Sequence, residues 1–365
     1  MSPSALRRQI GRLLFAGFSG DAIPVELKTL AREFGLGGVV LFSRNIVEPE
    51  QVAQLCHEAS RLSPELPPWV SVDQEGGRVA RLKAPFTEWP AMATLGRSAN
   101  VELAHRFGRA LASELRAVGI SLDFAPVLDI RTNPKNTVIG DRALAEKADD
   151  VARLGATIIR ALQGEGVAAC AKHFPGHGDT RADSHEELPV VEHGLERLRQ
   201  VELVPFRAAV EADVAMMMTA HVLVPALDER CPATLSARIV SGLLRDELGY
   251  ERVILSDDLG MKAIMNDYPV PSAAVLAVEA GCDGVLVCHE GASTQAQALE
   301  ALIYAVEDGR LPVARVEDAL KRQQRAKDRF LVSPVQARPP SAKRLKQVLG
   351  RDEHRAIADE MARFL

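Results

Sequence analysis

Ala168-Ala169-Cys170-Ala171-Lys172-His173 is an unbroken apolar run that ends on two ionisable residues. Polar residues do not alternate along it, which suits a strand covered on both faces, as in a parallel sheet, rather than one with a wet face. Seven further runs of this kind occur, at 13–18, 38–42, 69–73, 122–126, 216–221, 253–257 and 284–288. Helical patterns lie between many of them. Residues 104–118 end at Gly119, and 151–163 place Val151, Leu154, Ile158, Ile159 and Leu162 near one face and end at Gly164. Residues 236–248 start on a capping Ser236 and end at Gly249, and Pro271 opens a helix that ends before Gly281. Eight strands alternating with helices over about 320 residues predict an α/β chain folded as a single-domain (β/α)8 TIM-type barrel, with room for irregularity in its first strands. A doubly wound open sheet is the competing arrangement.

The barrel is expected to span 1–332. Residues 333–365, with Pro334, Pro339 and Pro340, read as a linker into a terminal helix near 352–364 that packs on the barrel. The composition, 47% hydrophobic and 25% charged with 26 Gly and 21 Pro, is that of an ordinary globular protein and excludes disorder, collagen and coiled coil. Lys and Arg total 44 against 49 Asp and Glu, a net charge of −5, so no basic surplus exists to neutralise nucleic acid or an anionic membrane. No nucleic-acid partner and no membrane are expected. The first ten residues lack the basic-then-apolar order of a secretory signal, which makes the cytoplasm the expected location. Cys56, Cys170, Cys231, Cys282 and Cys288 are odd in number and contain no CxxC pair, so they read as reduced core residues.

Chemistry collects where strands end. Besides Lys172-His173, the ends read Val72-Asp73, Ala220-His221 and Ser256-Asp257-Asp258. One such residue alone is ordinarily a cap or an ion-pair partner, but in a barrel all these ends open on one face, where active sites are built. The loop after Lys172 runs His173-Phe174-Pro175-Gly176-His177-Gly178-Asp179-Thr180-Arg181-Ala182-Asp183-Ser184-His185. His173, His177, Asp179 and His185 suggest a metal site, yet Pro175 and Gly176 prevent a helix that would bring two histidines to one face, so no metal is expected. A Schiff base at Lys172 is the second rival. Asp73, Asp183 and Asp257 would favour the charged ammonium, which argues against it.

Lys172 to Thr180 followed by Asp183-Ser184-His185 resembles the signature loop of glycoside hydrolase family 3, in its bacterial β-N-acetylglucosaminidase branch. Asp73-Gln74-Glu75-Gly76-Gly77-Arg78-Val79-Ala80-Arg81-Leu82, Gly140-Asp141-Arg142 and Ser256-Asp257-Asp258-Leu259-Gly260-Met261 resemble that branch as well. One departure is Arg252, where the family often carries glycine shortly before the Val253 strand. The resemblance implies a nucleophile at Asp257, with Asp258 structural, and an acid/base at His185 held by Asp183. An imidazole titrates near neutrality and, steadied by a carboxylate, can give a proton and take one back. By resemblance, Asp73, Arg81, Arg142, Lys172 and His173 bind the sugar's hydroxyls, Arg78 is structural, Glu75-Gly76-Gly77 is a tight loop and His221 is divided between pocket and core.

The implied activity is that of a retaining exo-β-N-acetylglucosaminidase working by double displacement without a cofactor. The resemblance further implies muropeptide fragments, GlcNAc linked to anhydro-N-acetylmuramic acid, as the substrate in cytoplasmic peptidoglycan recycling, and a monomer is the expectation. Two alternatives stay open at this level: a phosphorylase using the same residues, and a catalytically silent carbohydrate-binding protein, which should have lost Asp257 or the loop dyad.

Overall fold

In the computed structural model, which describes residues 3–63, 66–180, 184, 187–289, 291–331 and 338–365, every one of the eight apolar runs contains a strand. The strands are β1 (Leu14–Ala16), β2 (Gly38–Leu41), β3 (Trp69–Val72), β4 (Gln74–Gly76), β5 (Val79–Ala80), β6 (Leu122–Asp123), β7 (Ala168–Phe174), β8 (Met216–Thr219), β9 (Val253–Asp258) and β10 (Gly284–Val287). Eight of them close in the order β1-β10-β9-β8-β7-β6-β3-β2, while β4 and β5 form a separate hairpin. All eight barrel pairings are parallel, from β1 with β2 round to β10 with β1. Closure rules out the open sheet.

The first strands are regular: helices Val25–Phe34 and Pro49–Ala59 carry the chain from β1 to β2 and from β2 to β3. Irregularity falls later. The β4–β5 hairpin is inserted after β3, and β6 pairs over two residues before an isolated bridge joins Val127 to Lys172. Register also shifts between Ala171 and Phe174 on β7, and between Gly284 and Leu286 on β10 opposite β9. Such bulges re-aim side chains, and these two flank Lys172-His173 and Asp257-Asp258.

The barrel is filled rather than hollow. Phe15, Val40, Trp69, Leu122, Phe124, Met216, Met218, Leu255 and Leu286 pack inside it, all buried. A larger apolar layer lies between strands and helices, fed by Leu103, Phe107, Leu111 and Leu115 of helix Val101–Val118 and by Val151, Leu154, Ile158 and Leu162 of helix Ala148–Gly164. Helix Arg238–Glu247 is wound with π-type hydrogen bonds, which the apolar spacing does not announce, since the buried Ile239, Val240, Leu243 and Leu244 serve either winding.

The expected boundary at 332/333 lies outside the described residues, as does Pro334. Beyond it, helix Asp352–Ala362 contacts helix Val101–Val118. The buried Glu114 on the latter helix accepts from Thr87 N (2.8 Å), Thr87 Oγ1 (2.6 Å) and Gly350 N (2.9 Å), and pairs with His354 Nδ1 at 2.7 Å. Glu114→Ala leaves three donors and an imidazole without an acceptor in a dry site, so it should cost about 3 kcal/mol. His354→Ala, which breaks one of these contacts, should cost less. Urea unfolding of both variants measures the difference, and equal small losses would show that Glu114 does not tether the terminal helix.

Candidate active site

At the carboxyl ends of the strands lies a cavity of about 790 Å³ lined by Asp73, Arg81, Arg142, Lys172, His173 and Asp257, together with Phe42, Arg44, His177, Ser184 and His289. Six of the eight residues expected at the site therefore meet there. Asp183 and His185 lie outside the described residues.

The floor is a chain of paired charges. Lys172 Nζ sits 2.6 Å from Asp73 Oδ1 and 2.7 Å from Glu75 Oε1, and Arg142 grips Glu75 through two 2.8 Å hydrogen bonds from its Nε and a terminal nitrogen. Arg81 reaches Asp73 Oδ2 at 3.3 Å. Burial alone would raise the Glu75 carboxyl, but Arg142 and Lys172 outweigh it and hold it well below the usual range. Burial likewise works against the Lys172 ammonium, yet Asp73 and Glu75 keep it above the usual lysine range. A lysine so protonated is no Schiff-base nucleophile.

Glu75 lies on the β4–β5 hairpin, where Gly76 and Gly77 take positive φ values of 110° and 57°. That is the tight loop expected there, and it turns the carboxylate inward to the ion pairs. Arg78 donates to the carbonyls of Thr137 and Val138, both at 2.6 Å, which steadies the segment before Arg142.

Asp129 is the organiser that sequence reading passes over. Its Oδ2 meets His173 Nδ1 at 2.7 Å, and its Oδ1 accepts from His177 N at 2.6 Å. A signal exists, since Val127-Leu128-Asp129 continues the 122–126 run past Pro126 to an acid, as the other strand ends do. The His177 ring stands between Thr180 Oγ1 (2.7 Å) and Ser184 Oγ (3.1 Å). Burial pushes its pKa down to about 4, so the ring is neutral near neutral pH. Asp179 turns away to Thr132 Oγ1 at 2.8 Å and His193 Nε2 at 2.8 Å, so the side chains of His173, His177 and Asp179 each meet different groups.

At the end of β9 two adjacent carboxylates differ. Asp258 is used up: Oδ1 accepts from Cys288 N (3.0 Å) and Gly260 N (3.1 Å), and Oδ2 meets His289 Nδ1 at 2.5 Å. Among the described residues Asp257 accepts one hydrogen bond, at 2.8 Å from Asp258 N to Oδ1, and it borders the cavity. Burial would raise its pKa, but His221, His173, the Asp258 amide and Lys172 lower it on balance, so the carboxylate is ionised at neutral pH. His221 is wholly buried between Thr234 Oγ1 (2.8 Å) and the Asp258 carbonyl (3.0 Å), outside the cavity lining.

A parallel barrel with ionisable strand ends gathered around one cavity defines a TIM-barrel enzyme. The glycosyl hydrolase family 3 N-terminal domain matches residues 5–326, and the chain belongs to that family. It is a glycoside hydrolase of the β-hexosaminidase type. The β-hexosaminidase of Alkalilimnicola ehrlichii is 42% identical over 284 residues, 76% of this chain and 80% of that one. A family 3 β-N-acetylglucosaminidase from Paenibacillus superposes with a TM-score of 0.94 at 44% identity, over 98% of this chain and 68% of that one. NagZ of Neisseria gonorrhoeae in complex with N-trifluoroacetyl-D-glucosamine superposes with a TM-score of 0.78 at 32% identity, over 97% and 98% of the two chains.

Beneath the ion pairs, Asp123 Oδ1 accepts from Gln74 N at 3.0 Å while its Oδ2 is buried without a partner, and burial raises the carboxyl to about 7. In the unfolded chain the same group releases its proton at about pH 3.9. Folding therefore takes up a proton between those values, so this group's contribution to stability falls as pH rises from about 4 to 7 and stays low above. Asp123→Asn keeps an acceptor for Gln74 and removes the titration. Its melting temperature should exceed the parent's by more at pH 8 than at pH 5, and an equal gap at both pH values would mean that the folded Asp123 is already ionised at pH 5, its pKa not raised by burial.

Proposed function

We propose that the enzyme removes terminal β-linked N-acetylglucosamine with retention of configuration, and that its substrates are muropeptide fragments carrying GlcNAc on anhydro-N-acetylmuramic acid. The observation that carries the reading is the contrast between the two carboxylates of β9. Both border the cavity, but Asp258 is buried and spent on two amides and a histidine, whereas Asp257, ionised and less buried, is free to attack. Asp257 adds to the anomeric carbon and forms a glycosyl ester as the aglycone oxygen leaves with a proton from His185. His185, steadied by Asp183, then takes a proton from water, which opens the ester and frees Asp257.

Asp73, Arg81, Arg142, Lys172 and His173 supply the paired acceptors and donors that a polyol needs, and bonds to one another, to Glu75 and to Asp129 hold them in place before the sugar arrives. The choice of N-acetylglucosamine draws on the likeness to the Paenibacillus and Neisseria enzymes. For the aglycone, the exposed Arg44 and Lys262 border the cavity, positive charge suited to an anionic muropeptide. Action in the cytoplasm belongs to the same reading. Among the described residues no helix is long and apolar enough to cross a membrane.

Asp257→Ala should lower turnover at least about a thousandfold, whereas Asp258→Ala should keep the glycosylation step. A slow fluorinated sugar should label Asp257 in the parent, and a labelled Asp258 or Glu75 would refute the assignment. The kcat/KM for β-GlcNAc glycosides should exceed that for β-glucosides by at least roughly tenfold, the discrimination expected of one well-packed substituent. Running the same assay with and without phosphate identifies the acceptor: free GlcNAc as product in both supports hydrolysis, and a sugar phosphate would assign a phosphorylase instead.

A further inference from the structure

His289 stands one residue past the 284–288 run, just beyond β10, and borders the cavity with 54% of its side chain exposed. Two contacts fix the direction of its ring. Nδ1 meets Asp258 Oδ2 at 2.5 Å, and the ring packs edge-on against Phe42, with centroids 4.9 Å apart and planes at 60°. A carboxylate oxygen accepts this bond, so Nδ1 carries the proton. Nε2 is the ring nitrogen left over, and it has no partner among the described residues. Ordering a half-exposed ring costs side-chain entropy, and what the order provides here is an open nitrogen on the cavity wall.

Phe42 connects this histidine to the floor of the cavity. The Arg81 guanidinium carbon lies 5.8 Å from the centre of the Phe42 ring, and Arg81 Nη2 reaches Asp73 Oδ2 at 3.3 Å. On the other side of His289, the Asp258 amide donates to Asp257 Oδ1 at 2.8 Å. His289 is therefore central in an arc that runs from Asp257 through Asp258, Phe42 and Arg81 to Asp73. Arg44 stiffens it. Its Nε donates to the Phe18 carbonyl and its Nη2 to the Cys288 carbonyl, both at 2.8 Å, while its guanidinium carbon lies 4.4 Å from the Phe42 ring centre.

We propose that His289 Nε2 binds a hydroxyl of the terminal sugar, making His289 a further sugar-contact residue beside Asp73, Arg81, Arg142, Lys172 and His173. The inference rests on the reading that places that sugar between Asp257 and Asp73. A sugar whose anomeric carbon lies at Asp257 and whose hydroxyls reach Asp73 spans the arc in which His289 is central. A hydroxyl is also the group that suits this nitrogen. It donates to Nε2 of a neutral imidazole and accepts from Nε2–H of a charged one, so the bond survives either protonation state. A carboxylate or a carbonyl serves only the charged form, and an ammonium only the neutral one.

The experiment measures kcat/KM on the full chain for the parent, His289→Ala, His289→Gln and Asp73→Asn. The substrates are aryl β-GlcNAc glycosides, either complete or lacking the hydroxyl at C3, C4 or C6. With the complete sugar, His289→Ala should lower kcat/KM about tenfold, the worth of one good hydrogen bond. The loss should be the same for good and poor leaving groups, since no proton passes through this residue. With one of the three deoxy sugars the parent should already be slow, and His289→Ala should lower its rate less than about twofold further, because the bond is missing from the substrate side. His289→Gln, which keeps a donor and an acceptor, should recover part of the loss. If Asp73→Asn leaves the rates on all four sugars unchanged, the sugar does not lie between Asp257 and Asp73, and the assignment of His289 falls with that placement. If Asp73→Asn is slow but His289→Ala loses equally on the complete and all three deoxy sugars, the placement stands, His289 only braces Asp258 and the proposal is overturned. A loss that grows as the leaving group worsens overturns it as well.

Discussion

A lysine ammonium sealed inside a barrel has to be paired, because an isolated buried charge is far more costly than anything the surrounding packing can offset. Lys172 on β7 meets this demand with Asp73 after β3 and Glu75 on the β4–β5 hairpin, and Glu75 is in turn gripped by Arg142. These four groups come from three separate stretches of chain, so satisfying them fixes β3, the hairpin and the 140–142 turn relative to β7. The floor of the cavity is built on this pairing. Its donors and acceptors stand ready without substrate, so binding need not bear the cost of assembling them.

The second tier of organisation is Asp129. One carboxylate orients His173 through its ring and His177 through its backbone, with Ser184 hanging from the far side of the His177 ring. Burial that would raise the Asp129 carboxyl is outweighed chiefly by His173, so its pKa lies below the usual range. A single anionic group thus orders both histidines. The register shifts on β7 and β10 fall at this same end of the barrel, where regular pleating would alternate the side chains between core and helix layer and leave too few turned toward the cavity.

The two carboxylates of β9 show how identical chemistry is divided by surroundings. Asp258 receives two backbone amides and His289, a set of bonds that locks the β9 end to β10. Its neighbour Asp257 is turned to the cavity and keeps a hydrogen bond only from the Asp258 amide among the described residues. His221 bonds the Asp258 carbonyl from within the core and so supports the same turn without entering the cavity. Its buried place resolves the division between pocket and core in favour of the core.

Much of this architecture is legible in the sequence by itself. Eight apolar runs without alternation determine strands buried on both faces, and their polar ends mark one rim, because covalent order and burial are local properties that each segment carries on its own. Apolarity alone ends the 122–126 run at Pro126, short of Asp129, and so misses that acid. Closure, by contrast, belongs to the tertiary structure alone: β1 pairs with β10, Leu14 opposite Val285, and no local pattern specifies that. The same holds for Glu75, which reads as the acid of a tight loop and becomes the partner of both Lys172 and Arg142, and for His177, which reads as a candidate metal ligand and becomes a fixed post between two hydroxyls. The type of a side chain is set by the sequence, but its partners are chosen by the energy of burying charge and polar atoms together, and that is decided only when distant segments meet.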